Sequence, residues 1–155
     1  MYLEDYIIGR IYPLKSVYIT KDMIIDYAKA FDPRPFHLSP TAAEATQFGR
    51  LFASGFMTLN LCWLQWINTG LDEAGMICGI GLDELRWLAP VYADDRLFPE
   101  VEITAVSPSA TKLVGSVEFT LRANNQDNTP VLSCKTTALI KKRHYDQNPI
   151  KKDAP

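Results

Sequence analysis

The stretch that decides the fold is Ser54-Gly55-Phe56-Met57-Thr58-Leu59-Asn60-Leu61-Cys62-Trp63-Leu64-Gln65-Trp66-Ile67-Asn68-Thr69-Gly70. No residue from Leu51 to Leu71 carries a charge, and Phe56, Met57, Leu59, Leu61, Cys62, Trp63, Leu64, Trp66 and Ile67 make a helix here apolar nearly all round. Ser54 marks its start and Gly70 its stop, leaving about 15 helical residues, roughly 22 Å at 1.5 Å each. The hydrocarbon core of a bilayer is about 30 Å thick, and Asn60, Gln65 and Asn68 lower the apolarity further. The segment is therefore too short and too polar to span a membrane. Its all-round apolarity predicts a helix surrounded by protein, the buried axis of one domain.

Upstream, Val17-Tyr18-Ile19 ends a first strand, and Thr20 caps a helix in which Ile24, Tyr27, Ala28 and Phe31 recur at i, i+3, i+4 and i+7. Asp32-Pro33 stops that helix. Residues 32–38 read as a rigid, non-helical loop, because two prolines remove donors and bias their predecessors to extended geometry. Ser39-Pro40 is an N-cap and N1 pair opening a short helix through Thr46, with Gly49 beyond its end. Downstream of Gly75 the period changes to two. Gly115, Val117, Phe119 and Leu121 alternate with Ser116, Glu118, Thr120 and Arg122, one apolar and one polar face. Val101, Ile103 and Ala105 behave likewise, as do Leu132, Cys134, Thr136, Ala138 and Ile140, and Gly79 to Pro90 supplies a further strand with Leu85, Trp87 and Ala89 on one side. Turns at Ser107-Pro108-Ser109 and at Asn124 to Asn128 imply antiparallel neighbours. These patterns predict an α+β fold, an antiparallel meander with one long apolar helix lying on it, over residues 1–145. Residues 146–155 have little to bury and form a flexible C-terminal tail.

Composition narrows the function. A chain of 155 residues, 47% hydrophobic and 22% charged, matches one globular domain. With 16 basic against 18 acidic residues the net charge is −2, which offers no footprint for nucleic acid. Cys62, Cys78 and Cys134 form no C-x-x-C pair; they read as buried core thiols in a reducing compartment. Glu4 and Asp5 follow Met-Tyr-Leu with no basic start and apolar run, so no secretory signal is visible and the expected location is cytoplasmic. Only His37 and His144 are present and nothing resembles H-E-x-x-H, so no metal site is expected. Gly79-Ile80-Gly81 has Glu84 at the third glycine position and leads into a strand, which rejects a dinucleotide loop.

Asp32 and His37 remain, together in one proline-stiffened segment. A carboxylate and an imidazole held there can share a water, one taking its proton while the other supplies a proton elsewhere. Five residues in polyproline geometry span about 15 Å, so the pair converges only if the segment bends. A purely local role, Asp32 ending a turn and His37 satisfied in a loop, stays open. Ser54-Gly55 is the second candidate. A helix N-terminus presents unpaired N–H groups and the positive end of a dipole, and glycine lets a ligand approach closely; an ordinary serine N-cap explains the same residues. Arg34, Arg50 and Arg86, as phosphate contacts, compete with simple solvation, as does Lys141-Lys142-Arg143 at the end of the last strand.

Phe31-Asp32-Pro33-Arg34-Pro35-Phe36-His37, Phe48-Gly49-Arg50-Leu51-Phe52-Ala53-Ser54-Gly55-Phe56 and Gly81-Leu82-Asp83-Glu84-Leu85-Arg86-Trp87-Leu88-Ala89-Pro90-Val91 resemble, in order and spacing, the MaoC-like dehydratases and (R)-specific enoyl-CoA hydratases of the hot-dog fold. The likeness runs over nearly the whole chain. It implies a single hot-dog domain with an antiparallel sheet wrapped around the long helix, a homodimer, and substrate entering near the subunit interface. It places Asp32 and His37 on the catalytic positions, Gly55 N–H on the thioester carbonyl, and Ser54 and Phe36 beside the substrate. The implied reaction is reversible hydration of a trans-2-enoyl-CoA to an (R)-3-hydroxyacyl-CoA, with no cofactor beyond the coenzyme A of the substrate. Arg34 stands where the family most often has Asn, and Ser54 where many members have His. A hot-dog acyl-CoA thioesterase and a non-catalytic acyl-CoA binding protein are the alternatives.

Overall fold

Period-two alternation does emerge as one dry face. In β5 (Val114–Asn124) Gly115, Val117, Phe119 and Leu121 are buried while Arg122 is exposed. The computed structural model describes residues 1–145, so the tail expected at 146–155 lies outside the described residues. Around β5 stand β4 (Arg96–Pro108) and β6 (Pro130–Lys141), with register Val101–Leu121–Cys134 across the three strands. The remaining strands are β1 (Ile11–Pro13), β2 (Val17–Tyr18) and β3 (Met76–Trp87). The six-stranded antiparallel sheet runs β1-β4-β5-β6-β3, with β2 also on β4. Only β4-β5-β6 is a meander. The strand before them, β3, is carried to the far side of β6, because residues 88–95 cross from that edge to β4, which β1 and β2 flank.

Two local readings shift for physical reasons. A bulge between Ile103 and Ala105 moves the phase of β4 by one residue, so the inward row passes from Ile103 to Val106, which pairs with Val117. Pro108 still belongs to β4, and the turn falls after it. A first short strand, β1, lies upstream of the one that the sequence marked. Cys62 and Cys134 are buried as expected, but Cys78 is exposed, because it lies on the edge strand.

The helices are α1 (Lys21–Phe31), α2 (Pro35–Leu38), α3 (Pro40–Glu44) and α4 (Gly55–Ile67). Thr20 accepts from Met23 N–H at the start of α1, and Ser39 from Ala42 N–H at the start of α3, which ends at Glu44 rather than Thr46. α4 lies on the sheet with Met57, Cys62 and Trp66 fully buried; the Trp66 ring centroid is 5.4 Å from that of Phe119. Trp66 Nε1 donates to Asp72 Oδ2 at 2.7 Å, which gives the buried indole its polar partner. The sheet covers one face of the helix. Phe56, Leu64 and Ile67 remain exposed, so in the single chain α4 is not enclosed all round. Among the described residues no helix is long and apolar enough to cross a membrane.

Candidate active site

Residues 32–38 are where the sequence reading fails most usefully. They are not an extended loop: Pro35 takes the N1 position of α2, where its missing N–H has no intrahelical partner. Asp32 ends α1, its N–H bonded to Ala28 O at 3.0 Å, and α2 then turns the chain back. That turn brings His37 Nε2 to 3.5 Å from Asp32 Oδ2. The extended reading would have held the two apart.

His37 is buried, and its Nδ1 lies 2.8 Å from Phe52 O. A carbonyl oxygen only accepts, so Nδ1 carries the hydrogen of this bond, and Nε2 is the ring nitrogen that faces Asp32. The ring is also gripped by Phe36 and Phe52, edge-on at 4.6 and 4.8 Å, with Phe36 and Phe52 stacked on each other. Asp32, with its side chain 19% exposed, takes Arg34 Nε on Oδ1 at 3.0 Å and keeps Oδ2 for His37. Arg34, 67% exposed, thus sets a cation on that carboxylate. Among the described residues Arg50 meets no anion; it lies over the Tyr92 ring at 3.7 Å. Arg86 bonds the neighbouring Leu85 O.

The start of α4 is fixed by the crossing segment: Ala53 N–H donates to Val91 O at 2.8 Å, and Phe52 pairs with Tyr92. Between α2, α4 and this segment opens a cleft of about 270 Å³ that His37, Gly55, Thr58, Phe52, Trp87 and Val131 help to line. His37 and Gly55 therefore border the same cleft. Asp32 meets the cleft-lining His37 at Nε2, and Phe36 packs on the imidazole without lining the cleft. Ser54 is the N-cap by position, but its side chain makes no capping bond, and its buried Oγ has no partner among the described residues.

The glycine at 55 needs a different explanation from ligand approach. A Cβ there would stand 2.5 Å from Nε1 and 2.7 Å from Cδ2 of Trp87, so the indole already occupies the space of the absent side chain. Trp87 and Thr58 are site residues that sequence reasoning missed. Trp87 lies in the third stretch of resemblance and alternates with Leu85 and Ala89, which marks a strand face and not what that face meets.

A family profile described as "MaoC like domain" matches residues 7–124. The uncharacterized protein YdeM of Bacillus subtilis is 32% identical over 142 residues, 92% of this chain and all of that one. The crystal structure of the MaoC-like dehydratase from Rhodospirillum rubrum superposes with a TM-score of 0.84 at 30% identity, covering 92% of this chain and 98% of the other. The R-hydratase PhaJ1 from Pseudomonas aeruginosa, at 21% identity, shares the fold with a TM-score of 0.71 over 92% of this chain and 86% of its own.

Proposed function

This chain belongs to the family of MaoC-like dehydratase domains, and from that premise we propose that it reversibly hydrates a trans-2-enoyl thioester of coenzyme A to the (R)-3-hydroxyacyl thioester. The observation that carries the reading is the Asp32–His37 pair, 3.5 Å apart, with the imidazole locked on Phe52 O and exposed to the same cleft as Gly55. In hydration, Gly55 N–H, at the positive end of α4, polarises the thioester carbonyl and stabilises the enolate-like state. Asp32 Oδ2 and His37 Nε2 hold one water between them. As its oxygen bonds to Cβ, the pair removes one proton and returns a proton to Cα, so water adds across the double bond with nothing left over. The steps need no metal or redox cofactor; coenzyme A belongs to the substrate.

The same reading makes the protein a cytoplasmic homodimer. Phe56, Leu64 and Ile67 on α4, and Leu82 on the edge strand β3 beside Leu59 and Trp63, are apolar side chains exposed in the single chain that a second copy would cover. Free Cys62, Cys78 and Cys134 suit a reducing compartment. Incubation with crotonyl-CoA tests the reaction. Loss of the enone absorbance supports hydration; release of free thiol without that loss points to a thioesterase. Binding with neither change points to an acyl-CoA binding protein.

A further inference from the structure

The indole of Trp87 stands at the last position of the edge strand β3, packed on the first turn of α4 against Gly55 and Phe56. The Phe56 ring meets it edge-on at a centroid distance of 5.1 Å. Among the described residues no hydrogen bond holds the ring; it is kept by contact alone and is 47% exposed. It is also the bulkiest side chain in the wall of the cleft that holds His37 and Gly55. Beside it the wall is apolar, with Leu88 and Val131, and Leu88 N–H is tied to Val131 O at 3.0 Å, which fixes the strand end that carries the indole.

We propose that Trp87 sets the length of acyl chain that the cleft accepts, an inference that rests on the acyl-thioester reading above. A thioester whose carbonyl lies at Gly55 places its chain along the apolar wall, and the indole fills the part of that wall next to Gly55. Short chains end against the ring. Longer chains must displace it, losing its contacts with Gly55 and Phe56, or else leave their ends in water. Each further methylene taken into an apolar site is worth about fourfold in affinity. Truncating the indole therefore restores affinity selectively to long chains.

The test measures dissociation constants of butyryl-CoA and octanoyl-CoA, which cannot be hydrated, for the full-length wild type, Trp87→Phe and Trp87→Ala. Trp87→Ala is expected to raise the preference for octanoyl over butyryl by about tenfold or more, roughly two methylenes' worth. Trp87→Phe, which keeps a packed ring, should fall between and decides the matter if the alanine variant fails to fold. A preference within threefold of wild type overturns the proposal. If the wild type binds both thioesters but never hydrates crotonyl-CoA, the hydration reading falls while the binding ratio still judges Trp87. If it binds neither, both fall.

Discussion

Gly55→Ala is a sharp probe of the site, because its effect depends on a residue far along the chain. In an open helix the change would stabilise by up to about 1 kcal/mol, the difference between Gly and Ala in helix propensity. Here the new methyl falls 2.5 to 2.7 Å from ring atoms of Trp87, well inside the roughly 3.5–4.0 Å of favourable carbon contact. The indole must move. Overpacking costs about 1–3 kcal/mol, and loss of the edge contact with Phe56 about 0.5–1.5 kcal/mol more. The balance is a variant less stable by about 1–3 kcal/mol, at roughly 2–4 °C of melting temperature for each. In a Trp87→Ala background the same methyl meets open space and is neutral or stabilising. Chemical denaturation of the four proteins of this cycle measures the coupling directly. Additivity within about 0.5 kcal/mol would falsify the placement of the indole on Gly55. The Trp87→Ala background also isolates the N–H of residue 55. There, Gly55→Pro should lose about 10²–10³ in turnover relative to Gly55→Ala, the size of one oxyanion donor.

Asp32→Asn and His37→Asn should each lower hydration of crotonyl-CoA by roughly 10²–10⁴ without unfolding the protein; steady-state rates within tenfold of wild type for both would remove the pair from the mechanism. Burial pushes the Cys62 thiol up to about 12, with a further push from neighbouring Cys134, and the Cys134 thiol up to about 11. A thiol reagent at pH 8 should therefore label Cys78 fast and the other two only after denaturation; equal rates for all three in the native protein would contradict the packing. Because these two folded-state values lie above those of the unfolded chain, their contribution to stability is complete below the ordinary thiol value. It is lost as pH rises through about 11 and 12. Sedimentation equilibrium should give twice the chain mass at micromolar concentration, and a 17.5 kDa species would refute the dimer.

Whatever depends on neighbours a few residues away is legible in the amino-acid order alone. Thr20 and Ser39 mark helix starts because a capping oxygen reaches an N–H three residues on. Val117, Phe119 and Leu121 mark a half-buried strand because side chains alternate across a sheet. The apolar run at 54–70 announced the helix on which the sheet packs, and the motif around Asp32 and His37 announced the family. Tertiary structure decided what these pieces meet. Pro35 reads as a helix breaker until the chain uses it as a first helical residue, and only that turn joins His37 to Asp32. The alternation of β4 is legible up to Ile103 and then slips, because a bulge answers to the partner strand and not to the sequence around it. Gly55 advertised an empty space without saying what filled it. Cap, period and proline signals act through bonded geometry over a few residues. The bond from His37 to Phe52 O and the contact of Trp87 with Gly55 exist only once the sheet, the crossing segment and α4 have closed around them.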